Sequence, residues 1–126
     1  MTHLIQDLVF ESANRFSDKE ALVYQRNRLS YADLAREIGL VREGLLALGL
    51  DRGERVAVYL EKRIEAVTSL FGAAAAGGAF VPVNPLLKPE QVAYILRDCN
   101  VRILVTSAER LKLLVEALPQ CHDLHA

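Results

Sequence analysis

Residues 53–85, GERVAVYLEKRIEAVTSLFGAAAAGGAFVPVNP, constrain the fold more than any other part of the chain. Residues 55–60 alternate and are β-branched enough for a buried strand. Residues 64–76 follow a helical period, with Val67, Leu70, Phe71, Ala74 and Ala75 on one face. Gly77-Gly78 breaks that helix, and residues 79–83 read as the next strand. Strands joined through a helix by short connections run parallel, with right-handed crossovers. The pattern then repeats. Pro89 suits a first helical turn, where its missing N–H costs nothing, and Val92, Ile95, Leu96 and Cys99 share a face. Residues 102–105 form a third strand. Thr106 as cap, with Glu109, opens a last helix on Leu111, Leu114, Val115 and Leu118, stopped by Pro119. The expected fold is α/β: a layered, mostly parallel sheet with flanking helices.

Upstream, Leu4, Leu8, Val9 and Phe16 fall near helical spacing and predict an opening helix over 4–15. Residues 21–25 and 28–29 flank the turn-like pair Arg26-Asn27, which suggests a short hairpin. Ser30 is a good N-cap, and Asp33 three residues on completes a pair of the capping-box kind. Leu34, Ile38, Val41, Leu45 and Leu48 then form one apolar stripe, closed by Gly49 in a left-handed conformation. The tail HDLHA reads as frayed. The 126 residues are one domain's worth of chain, without internal repeat or linker.

Charge narrows the function classes. Fifteen basic and sixteen acidic residues are interleaved, so no basic face is offered to nucleic acid or to a membrane surface. The longest apolar run, around 73–83, is too short and too rich in Ala and Gly to span a bilayer. The N-terminus lacks the basic-then-apolar layout of a signal peptide. Cys99 and Cys121 sit at no zinc or redox spacing; they read as free thiols in a reducing cytosol, with Cys99 buried. The expected location is the cytoplasm.

Few residues carry chemistry. Gly72, Gly77 and Gly78 follow a helix rather than a strand and miss the G-x-G-x-x-G spacing, so they read as a helix end with close packing. A complete nucleotide-binding domain is disfavoured, because G-x-x-x-x-G-K-[ST] is absent too. His122-x-x-His125 lacks further ligands and reads as incidental, as does His3. Ser69, Thr106 and Ser107 have no histidine base nearby in sequence, and the last two are explained by capping. Pro82-Val83-Asn84-Pro85 and Glu61-Lys62-Arg63 leave neighbouring strands at their C-terminal edge, where open parallel sheets bind ligands. Their simplest reading is a Pro-fixed turn beside a solvated charge run. As a functional edge, the candidates are Lys62, Arg63 and Asn84.

Five segments in register resemble the N-terminal region of AMP-forming acyl-CoA synthetases, the adenylate-forming ligases. They are LSYADL (29–34), GERVAV (53–58), AGGAFVPVNP (76–85), YILRD (94–98) and LVT (104–106). A narrower wording, in residues 58–63, 71–92 and 97–111, resembles acyl-CoA ligases associated with exosortase systems. Most family members carry an uncharged pair after the strand, where this chain has Glu61-Lys62-Arg63.

The resemblance implies a parent enzyme that uses ATP and Mg2+ to join a carboxylic acid to AMP, then passes the acyl group to coenzyme A. It also implies a phosphate-binding loop and a catalytic lysine on a small C-terminal domain, both beyond the region covered here. No catalytic, cofactor-binding or metal-binding residue of this chain is therefore expected. Residues 1–126 would be a partial N-terminal domain, inactive alone and prone to self-association through exposed apolar surface or a strand edge. The rival expectation is a standalone α/β binding or assembly module derived from such an enzyme.

Overall fold

The computed structural model describes residues 4–126. Two sheets organise it. The larger is parallel, in the order β4-β3-β5, built from β3 (Arg55–Tyr59), β4 (Ala79–Pro82) and β5 (Val101–Thr106). The smaller is the antiparallel hairpin of β1 (Glu20–Tyr24) and β2 (Asn27–Ser30). The helices are α1 (Asp7–Arg15), α2 (Tyr31–Ala47), α3 (Ile64–Ala75), α4 (Pro89–Asp98) and α5 (Ala108–Leu114), followed by a 3-10 turn at Leu118–Gln120. This is the expected α/β layering. The opening helix begins three residues later than the spacing suggested.

The central strand β3 is buried from Val56 to Tyr59, because helices cover both faces. On one side Ala57 and Tyr59 join Val92 and Leu96 of α4, with Leu114 and Cys121. On the other, Val56 and Ile103 meet Leu45 of α2 and Ala73 of α3. A third cluster, Val9, Leu34 and Ile38, ties α1 and α2 to the hairpin. The first two clusters are the core of the sheet; the third is what makes the hairpin part of the same body.

Helix ends follow local chemistry. Ser30 caps α2 by accepting the Asp33 amide at 3.1 Å, and hydrogen bonds from Ser30 hold the Asp33 carboxyl below its usual range. Pro89 opens α4. Gly49 ends α2's turn at φ +90°, and Gly77 ends α3 at φ +85°.

Several expectations need correction. The hairpin turn is Gln25-Arg26, with Gln25 at φ 55°, because Asn27 already pairs with Tyr24. Ser107, not Thr106, caps α5; Thr106 completes β5 and donates its hydroxyl to the Tyr59 carbonyl at 2.7 Å. The buried face of α3 is Thr68, Ser69, Gly72 and Ala73, since the helix lies against α2 as well as the sheet. A Cβ at residue 72 would fall 2.4 Å from Val41 Cγ1, so glycine sets the α2–α3 approach. Leu48 at the end of the α2 stripe is exposed. Cys121 rather than Cys99 is the buried thiol, and burial pushes it up. The tail is pinned, not frayed: His125 N–H donates to the Arg102 carbonyl at 2.8 Å, and Leu104 N–H to that of Ala126 at 2.9 Å. These bonds lie along the outer edge of β5. His3 lies outside the described residues.

Candidate functional site

Parallel strands deliver their C-terminal ends to one edge, and three connections leave there. The β3–α3 connection carries Leu60, Glu61, Lys62 and Arg63; the β4–α4 connection carries Asn84 and Pro85; α5 starts directly after β5. Arg110, in the first turn of α5, joins all three. Its Nε donates to Glu61 Oε2 at 2.7 Å and its Nη1 to the Pro85 carbonyl at 2.8 Å. Its guanidinium carbon lies 5.0 Å from the centre of the Tyr59 ring. A planar donor fork suits this placement, since two of its nitrogens serve different acceptors while the face stacks on an aromatic ring.

Glu61 is shared. Its other oxygen accepts Arg63 Nη1 at 3.1 Å, and Arg63 Nε also donates to Glu65. The Arg110 hydrogen bond, helped by Arg63, lowers the Glu61 carboxyl to about 2. Arg63 likewise holds Glu65 down, while the acids push both arginines up. The edge is thus a chain of alternating charges, Arg110–Glu61–Arg63–Glu65, rather than a loosely solvated run.

The three sequence candidates fare differently. Arg63 is built into this chain of charges, at the N-cap position of α3. Asn84 is turned on its own loop, where Oδ1 accepts the Leu86 amide at 2.9 Å. Lys62 is exposed and makes no hydrogen bond or ion pair among the described residues. No hydrogen bond joins Asn84 to either cation among those residues. Arg110 escapes the sequence reading, because its partner lies 49 positions away. The available signal is its place one turn into a helix that follows a strand of the same sheet.

The edge does not form a phosphate cradle. The β3–α3 connection has no glycine, and the acids Glu61 and Glu65 flank the start of α3, where a phosphate would need free amides. Among the described residues, no three His, Cys, Asp or Glu side chains gather to hold a metal ion. Nor is any helix among them long and apolar enough to cross a membrane. A cleft of about 710 Å³ opens beside the edge, between α2, α3 and the start of α5.

Comparison with known proteins places this geometry. The family model described as AMP-binding enzyme matches residues 9–125. Long-chain-fatty-acid–CoA ligase of Bacillus subtilis (strain 168) is 34% identical over 102 residues, covering 81% of this chain and 18% of that protein. Tyrocidine synthase 1 of Brevibacillus parabrevis is 35% identical over 102 residues, covering 81% of this chain and 9% of the relative. Among solved structures, the anthranilate CoA ligase AuaEII in complex with anthranoyl-AMP superposes with a TM-score of 0.92 at 30% identity, over 97% of this chain and 24% of that one. The chain spans less than a fifth of the length of these two curated relatives. Because the family model matches this chain almost end to end and the superposition is of this quality, the chain belongs to the AMP-binding enzyme family, and it corresponds to the N-terminal region of its adenylate-forming ligases.

Proposed function

We propose that this chain is the N-terminal part of an AMP-forming acyl-CoA ligase acting in the cytoplasm. The enzyme would attack the α-phosphorus of ATP with a substrate carboxylate, releasing pyrophosphate, and then exchange AMP for the thiol of coenzyme A. The observation that carries the reading is the 97% coverage of this chain by AuaEII at a TM-score of 0.92, an enzyme that is itself a CoA ligase. The matched CoA ligase of Bacillus subtilis supports the same acceptor. Similarity to the tyrocidine synthases of Brevibacillus parabrevis keeps a carrier-bound thiol as the competing acceptor.

The described residues offer no phosphate cradle of their own, so ATP, Mg2+ and coenzyme A would be held by the rest of the enzyme. Within that whole, Lys62, Arg63 and Asn84 would stand at the sheet's C-terminal edge, where Arg63 is the one of the three that lines the cleft. The wording of residues 58–63, 71–92 and 97–111 favours the exosortase-associated branch. By itself the chain is inactive, and exposed Leu86, Leu113 and Tyr94 favour self-association.

The deciding experiment reads the coding frame past Ala126 and assays its product for acid-dependent exchange of pyrophosphate into ATP. A Ser/Thr/Gly-rich loop ending in Pro-Lys-Gly, with exchange and coenzyme A-dependent AMP release, is the expected result. A stop codon at that point would make the chain a free-standing module and reduce the ligase reading to ancestry. Calorimetric titration of the 126-residue chain with ATP should give no micromolar binding.

A further inference from the structure

The cleft between α2, α3 and α5 has a chemistry that the ligase reading does not use. Apolar walls come from Val41, Leu60 and Val105. Glu37 of α2 and Glu109 of α5 also line it, and neither carboxylate has an ion-pair partner among the described residues. Glu61 and Glu65 border it too, but both are taken by arginines.

A second observation points inward. Ser69 is only 4% exposed and lines the same cleft. Its neighbour Thr68 satisfies its hydroxyl on the Glu65 carbonyl, whereas the Ser69 hydroxyl has no hydrogen-bond partner among the described residues. Every fully enclosed side-chain nitrogen or oxygen among those residues is paired, so the small exposed part of Ser69 includes its oxygen, open to the cleft. Polar atoms on buried side chains are normally paired, and an unpaired one facing a cleft offers an acceptor to water or to a ligand atom that displaces it.

The sign of that ligand is set by magnitude. The starts of α3 and α5 face the cleft, each worth about half a positive charge at most. Four carboxylates against Arg63 and Arg110 leave two full negative charges, which outweigh the helix ends. The cleft favours a cation. A bare metal ion would need three close ligands, and no such group occurs among the described residues. An ammonium on an alkyl stem suits this lining better: its methylenes match the apolar wall, and carboxylates and the serine oxygen are acceptors for its three N–H donors.

We propose that this cleft is a binding site for an alkylammonium group, supplied by a free primary amine or by a lysine side chain. The site is independent of the ligase reading and is tested on the 126-residue chain itself. Amide NMR spectra would be followed during titration with butylamine at neutral pH, and separately with Nα-acetyl-lysine amide. Butanol and butyrate serve as neutral and anionic controls.

The expected result is saturable shifts at Glu37, Ser69 and Glu109 with either amine, and none with the controls. Glu37→Gln with Glu109→Gln should weaken binding at least tenfold, and Ser69→Ala severalfold. Tighter binding of butylamine would assign the site to small amines, and tighter binding of the lysine derivative to a polypeptide side chain. Equal response to butanol, shifts that never saturate, or unchanged affinity in the double variant would overturn the proposal. Neither glutamate is buried and Ser69→Ala removes one oxygen, so the variants should stay folded for the comparison.

Discussion

The two ends of the parallel sheet are each tied by one arginine, but to different kinds of acceptor. At the N-terminal end Arg55 directs all three nitrogens to main-chain carbonyls: Nε to Cys99 at 3.0 Å, Nη2 to Asn100 at 2.8 Å and Nη1 to Gly53 at 3.2 Å. Two of those acceptors sit at the C-terminal end of α4, where carbonyls lack intrahelical partners and the helix dipole favours a cation. At the C-terminal end Arg110 makes one carbonyl bond and relies on Glu61, which Arg63 also claims. Backbone acceptors cannot leave or titrate; a shared carboxylate can do both. One end is built to hold, and the other holds only while its charges stay as they are.

The largest test of that contrast is Arg55→Ala. It strips three bonds from a charged donor and strands one part-buried carbonyl, that of Cys99, so a loss of about 2–3 kcal/mol in urea unfolding is expected. Arg110→Met keeps packing against Tyr59 and should cost about 1 kcal/mol. Its clearer signature is local: hydrogen exchange should speed up at residues 61–63 and 84–87, while β3 itself stays protected. Equal losses from the two substitutions would erase the distinction between the ends.

Acid sharpens it further. The Glu61 carboxyl is lowered from 4.5 when unfolded to about 2 when folded. Its contribution is therefore complete above the unfolded value and is lost as pH falls toward the folded one. Glu61→Gln should flatten the acid limb of the stability curve over that window, and Arg55→Ala should leave the limb's shape intact. An unchanged limb in Glu61→Gln would show that the Arg110 pairing adds nothing to folding.

The same contrast explains what can be read from sequence. Strands and helices are legible because burial on both faces of β3 enforces an apolar run and because α2 and α4 repeat at three and four residues. Ser30 with Asp33 is legible because capping is local. Arg110 with Glu61 is not, since nothing in a periodic pattern links positions 49 apart. The adjacent hydroxyls Thr106 and Ser107 offer two caps, and only the length of β5 decides between them. On α3 the buried Thr68 and Ser69 break the apolar stripe, and Gly72 reveals its use only once Val41 lies against it. The tail has no period at all; it is fixed by edge bonds to β5 and by the Asn100–Asp123 contact at 2.7 Å.

Within the C-terminal edge, the remaining candidates should differ in the same way. Asn84→Ala loses the bond to the Leu86 amide and should cost about 0.5–1 kcal/mol, because one turn bond near the surface is at stake. Lys62→Ala removes an exposed side chain with no hydrogen bond or ion pair among the described residues, so its effect on unfolding should stay within about 0.5 kcal/mol. That near-zero value is the informative one. Residues that fix the edge must show in stability, whereas a residue kept for contact with something outside this chain need not. If Lys62→Ala leaves the urea midpoint unmoved yet lowers the activity proposed for the full-length protein, the lysine serves a ligand or partner rather than the fold. If it destabilises the chain as much as Arg110→Met, Lys62 is part of the structural clasp, and the edge keeps no free cation on this connection for a ligand.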